Sequence, residues 1–107
     1  MEQSWRWFGQ SDPVTLDHIK QAGAQSIVSS LYEQYDGRAW SVADVHRRHR
    51  QIQSGGFEWR VCESIPVSTS IKIRDDNFSE SVGNWKDNLA ALATVGVSTV
   101  CLSLIHI

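Results

Sequence analysis

Ser54-Gly55-Gly56-Phe57-Glu58-Trp59-Arg60-Val61-Cys62 marks the point where a helical pattern gives way to a β-rich run. Ahead of it, Val42, Val45, His49 and Ile52 recur at intervals of three, four and three, which draws one stripe down a helix face. The glycine pair stops that helix, and the aromatic and β-branched residues after it favour a strand. The same punctuation occurs twice more: Gly23 precedes Ser26-Ile27-Val28, and Gly96 precedes Ser98-Thr99-Val100-Cys101. Repeated helix-then-strand units predict an α/β fold with parallel strands covered by helices, at a spacing that suits βαβ units of roughly 30 residues or more. Two architectures begin this way, an open doubly wound sheet and a (β/α)8 barrel. A barrel typically needs about 250 residues, so on that reading these 107 residues are the front part of something larger.

Working outward, Ser4-Trp5-Arg6-Trp7-Phe8 reads as a first strand closed by Gly9. Thr15 is placed to cap a helix carrying Leu16 and Ile19, with Asp17 near its positive end. Ser26 to Leu31 is the second strand, Tyr32 to Trp40 a loop turning at Asp36-Gly37, and Ser41 the cap of the second helix. A third helix carries Val82, Trp85, Leu89 and Leu92 at the same intervals as the second. Between them lie the third strand, Phe57 to Glu63, and a polar connection from Ser64 to Asn77. The expected total is about four parallel strands and three helices.

The 41% apolar and 21% charged content is that of an ordinary globular chain, and a net charge of -2 gives no reason to expect nucleic acid or an anionic membrane as a partner. No run approaches the length of a membrane span and the first residues lack the apolar stretch of a secretory signal, so a cytoplasmic setting is expected. Cys62 and Cys101 fall on neighbouring strands without a paired spacing, and are expected to be reduced, buried thiols.

Parallel α/β proteins place their ligands at the carboxyl ends of the strands. There Glu63 and Ser64 precede Pro66, and a carboxylate in that position serves as a base, a metal ligand or a hydroxyl acceptor. The alternative is a carboxylate that caps a neighbouring amide. Arg6 ends the first strand at the same edge, where its planar fork suits a carboxylate, with Trp7 and Phe8 as a flat wall or as a plug for the core. His46-Arg47-Arg48-His49-Arg50 reads as a solvated helix face with His49 half-buried, because no third ligand accompanies the two histidines. Asp75-Asp76-Asn77 lacks the further oxygens of a calcium loop and reads as a turn. Gly55-Gly56 follows a helix and precedes a strand, the reverse of a phosphate-binding loop.

Met1-Glu2-Gln3-Ser4-Trp5-Arg6-Trp7-Phe8-Gly9, then Asp12-Pro13-Val14, Gln21-Ala22-Gly23-Ala24, Glu63-Ser64-Ile65-Pro66-Val67 with Ile71-Lys72, and Gly96-Val97-Ser98-Thr99-Val100-Cys101 together resemble the amino-terminal part of the mannonate dehydratase family. The resemblance implies a partial (β/α)8 TIM barrel over residues 1–101 and an enzyme that uses manganese or iron to convert D-mannonate to 2-keto-3-deoxy-D-gluconate in hexuronate catabolism. It carries over Arg6, Trp7, Phe8, Gly9, Glu63, Ser64 and Pro66 as contributors to a sugar-acid mouth. Glu63 is the candidate catalytic carboxylate. The metal ligands implied by the family are histidine, cysteine and aspartate side chains of later strands, so none is placed in this chain, which is expected to be inactive alone. Homo-oligomerisation of the intact protein is left open.

The chain also departs from the family pattern. Tyr32 and Glu33 stand where a histidine-containing turn is usual, and Ser68 and Thr69 where a histidine and an acid are common. Residues 102–107, Leu102-Ser103-Leu104-Ile105-His106-Ile107, resemble a translated sequencing adapter and are expected to be a non-native tail, the alternative being a variant fourth strand. Two other readings remain at this point: another metal-dependent sugar isomerase or epimerase on a related barrel, and a small doubly wound binding domain.

Overall fold

The computed structural model describes residues 1–103. Four strands, β1 (Ser4–Arg6), β2 (Ser26–Ser29), β3 (Glu58–Pro66) and β4 (Thr99–Ser103), alternate with helices α1 (Leu16–Gln21), α2 (Val42–Ser54), α3 (Thr69–Ile73) and α4 (Phe78–Thr94). A short 3-10 turn, Tyr32–Gln34, follows β2. The strands form one parallel sheet in the order β1-β2-β3-β4.

That order decides between the two architectures. Each right-handed crossover adds its strand on the same side of the last, so the helices fall on one face and the sheet curls toward a barrel. A doubly wound sheet reverses its strand order at a switch point, and no reversal occurs among the described strands.

The caps are local and follow the sequence. Thr15 accepts from the His18 amide while His18 accepts from the Thr15 amide, and Ser41 accepts from Asp44. Gly23 closes α1 at φ 90°, a left-handed conformation that a Cβ disfavours. Ile19, Val45, Ile52 and Leu92 come from the helices to meet Ile27, Trp59, Cys62 and Ile65 of the sheet, all fully or nearly fully buried. Each large aliphatic side chain so buried contributes about 1.5–3 kcal/mol.

Several expectations need correction. Among the described residues there are four helices, since α3 forms inside the connection read as a loop; Ser68 precedes it, and Asp75 accepts from both the Ser70 hydroxyl and the Asn77 amide beyond it. Strand β3 runs on to Pro66 because β4 pairs with it that far. Val42 and Leu89, assigned to apolar stripes, are exposed, while Asn88 and Ala91 are buried in α4. The stripe there is rotated because Asn88 reaches the loop before α2: its Oδ1 accepts from the Trp40 amide at 2.6 Å and its Nδ2 donates to the Arg38 carbonyl at 3.3 Å. Cys62 is buried but Cys101 is exposed on β4, and both are free thiols. Leu102 and Ser103 complete β4, in register with Ile65 and Pro66, a pairing that sets the length of the strand and leaves the expected non-native tail untested. The rest of the expected tail lies outside the described residues.

Candidate functional site

At the carboxyl edge of the sheet the chain brings together groups from three strand ends. Arg6 Nη2 lies 2.8 Å from Glu63 Oε1, and Arg6 Nε donates to the Tyr32 hydroxyl at 3.3 Å. Tyr32 donates in turn to the Glu63 carbonyl at 2.7 Å. The Phe8 ring packs 5.0 Å from the Tyr32 ring and under the Arg6 guanidinium at 5.2 Å. Tyr35 hydrogen-bonds Ser64 Oγ, and Ser30 Oγ donates to the Ser64 carbonyl at 2.6 Å. The ladder shifts register between Glu63 and Ile65, and such an irregularity re-aims side chains at a strand end.

Strand β1 and its loop deliver Arg6 and Phe8 because the loop is pinned locally. Asp12 accepts from the amides of Phe8 and Val14, and its own amide donates to Gly9 at 3.0 Å. Beneath, Ser29 Oγ donates to the Trp7 carbonyl at 2.7 Å, and Trp59 Nε1 donates to the Ser29 carbonyl at 3.2 Å.

Of the residues expected at the mouth, Arg6, Phe8, Glu63 and Ser64 converge. Trp7, Gly9 and Pro66 do not join that cluster of side chains: Trp7 is 3% exposed in the core, Gly9 is buried at φ 105°, and Pro66 is the buried last residue of β3. Sequence reasoning missed Tyr32 and Tyr35 as partners of β3. The readable signal was their spacing of three in a 3-10 turn, which sets two side chains on one side.

The electrostatics suit a hydrogen-bonding rim. Burial holds the Tyr32 phenol above its ordinary pKa, against the pull of Arg6, so it stays a donor at neutral pH. For Arg6, burial opposes the charge, but the Tyr32 hydrogen bond and the nearness of Tyr32 and Glu63 outweigh it and raise the pKa. His49 is indeed partly buried, and burial, with His46 and Arg50 nearby, lowers its pKa.

The basic run corrects the expectation of a solvated face, because Arg48 is 4% exposed. No group of three or more His, Cys, Asp or Glu side chains that could hold a metal occurs among the described residues. At the mouth the one carboxylate in the cluster, Glu63, is engaged by a guanidinium. These residues do not make a manganese or iron site.

The sequence profile of the D-mannonate dehydratase (UxuA) family matches residues 1–107. The chain belongs to that family. Mannonate dehydratase 2 of Agrobacterium fabrum is 42% identical over 107 residues, and Mannonate dehydratase 1 of the same organism and the mannonate dehydratase of Rhizobium meliloti are each 39% identical. Each comparison covers 100% of this chain and 27% of the relative, so the chain spans about a quarter of their length. The crystal structure of mannonate dehydratase from Streptococcus suis serotype2 is similar at a TM-score of 0.89 and 35% identity, over 95% of this chain and 30% of that one. The sheet and its helices are thus the amino-terminal part of a (β/α)8 barrel of that family, and neither a separate isomerase family nor a small doubly wound domain describes them.

Proposed function

We propose that this segment supplies one side of the substrate mouth of a metal-dependent lyase that converts D-mannonate to 2-keto-3-deoxy-D-gluconate and water. The observation that carries the reading is the convergence of Arg6, Tyr32 and Glu63 at the carboxyl edge of a mannonate dehydratase sheet. The Arg6 guanidinium presents N–H groups that suit a sugar-acid carboxylate, with Phe8 as a flat wall against the carbon chain. Glu63 accepts from a substrate hydroxyl or holds Arg6 in place, and protonated Tyr32 keeps the rim closed through the Glu63 carbonyl. A base takes the proton next to the carboxylate to leave an enediolate, which a cationic donor beside that carboxylate stabilises; the neighbouring hydroxyl then takes up a proton and departs as water, and the enol left behind ketonises to the 2-keto acid. Manganese or iron is the proposed cofactor, its ligands outside the described residues. The proposed setting is hexuronate breakdown in the cytoplasm; no described helix is long and apolar enough to cross a membrane.

The test is a chimera in which residues 1–107 replace the matching segment of Mannonate dehydratase 2 of Agrobacterium fabrum. With manganese or iron it should release a 2-keto-3-deoxy acid from D-mannonate. A folded chimera without turnover, beside an active parent, refutes the reading.

A further inference from the structure

Arg48 occupies a place that no packing argument requires. It extends from α2 under the mouth, 4% exposed, with its Cζ 5.3 Å from the Trp7 ring centre and its Nη2 paired with Glu33. Its Nε and Nη1 are buried without a hydrogen-bond partner among the described residues. The guanidinium lies flush against Gly9: a Cβ there would sit 2.5 Å from Nη1 and 2.9 Å from Nη2. One side chain therefore touches the loop after β1 and the turn after β2 together.

Both contacts are one residue removed from the mouth. Trp7 lies between Arg6 and Phe8 in sequence, and Glu33 follows Tyr32. We infer that Arg48 is a positioning residue that fixes the β1 and β2 loops relative to each other, so that Arg6 and Phe8 meet Tyr32. This rests on the proposed function, since it acts through the residues assigned there to the substrate mouth.

The energetics separate positioning from simple support. A buried guanidinium with unpartnered N–H groups is costly, and replacing a buried ion pair by an apolar side chain of similar volume is often neutral or stabilising. Here the partner left behind is Glu33, whose side chain is 58% exposed and returns to water without penalty. Arg48→Met should therefore keep its stability yet loosen the mouth. Lysine restores a charge for Glu33 but not the planar fork between Trp7 and Gly9, so Arg48→Lys should recover only part of the loss.

Two measurements test this. In the chimera, Arg48→Met should retain its melting temperature and lose about tenfold or more in kcat/KM for D-mannonate, carried by KM, with Arg48→Lys between it and the parent. In the chimera carrying fluorotyrosine, the fluorine resonance that disappears in Tyr32→Phe should shift or broaden in Arg48→Met, while a Lys20→Met control at the far end of the sheet leaves it in place. An inactive parent chimera refutes the proposed function alone, and the fluorine signal then decides the inference. Unchanged kcat/KM in an active chimera, an unmoved Tyr32 resonance, or an Arg48→Met variant that fails to fold would each overturn the positioning role.

Discussion

Glu63→Gln separates the chemistry of the mouth from its architecture. The amide keeps the length of the side chain and an oxygen to accept from Arg6, but removes the charge. The ion pair it replaces spans 2.8 Å between side chains 42% and 43% exposed, so solvent screens it and its contribution to stability is about 0–1 kcal/mol. In a protein the size of the family's members that lowers the melting temperature by no more than a few degrees. If the carboxylate acts on substrate, turnover should fall by roughly 10²-fold, the range for a positioned acid or base, which is about 2.7 kcal/mol of transition-state stabilisation. The two magnitudes differ enough to be told apart in one pair of experiments. The assay compares kcat/KM for D-mannonate and the thermal melt of the chimera with and without the substitution. A kcat/KM within about threefold of the parent, with an unchanged melt, refutes the catalytic reasoning and leaves Glu63 as the residue that orients Arg6.

Other expectations follow from the same contacts. Asn88→Ala strands the buried Trp40 amide and should lower stability by about 1–3 kcal/mol, read as a lower urea midpoint, and Asn88→Asp should cost at least as much, because it buries a carboxylate with no cation beside it and turns an oxygen toward the Arg38 carbonyl; a midpoint unchanged in both would contradict the bridge between α4 and the loop before α2. Cys62 is pushed up to about 12, chiefly by burial, so at pH 8 an aromatic disulfide should modify exposed Cys101 quickly and Cys62 only after denaturation; two thiols reacting at one rate in the native chain would contradict their placement.

What the sequence determined by itself was everything governed within a turn or two of chain. Thr15 and Ser41 cap their helices because a side-chain oxygen needs only an amide three residues on, and Gly23 ends α1 because it alone adopts the left-handed turn cheaply. The series of helix and strand was legible for the same reason, as were Arg6 and Glu63 at the carboxyl edge, since strand direction alone places them there. The resemblance named the family because its motifs run in order along residues 1–101, and the profile match agrees. Tertiary structure decided the rest. Only the sequential strand order distinguishes a curling sheet from a doubly wound one, because it depends on which side each crossover adds its strand. Tyr32 meets Glu63 31 residues away and Asn88 meets Trp40 48 away, distances over which no periodicity carries information. Arg48 sits in a run of charges that composition assigns to water, and it is buried because α2 turns that one position under the mouth, where Trp7, Gly9 and Glu33 enclose it.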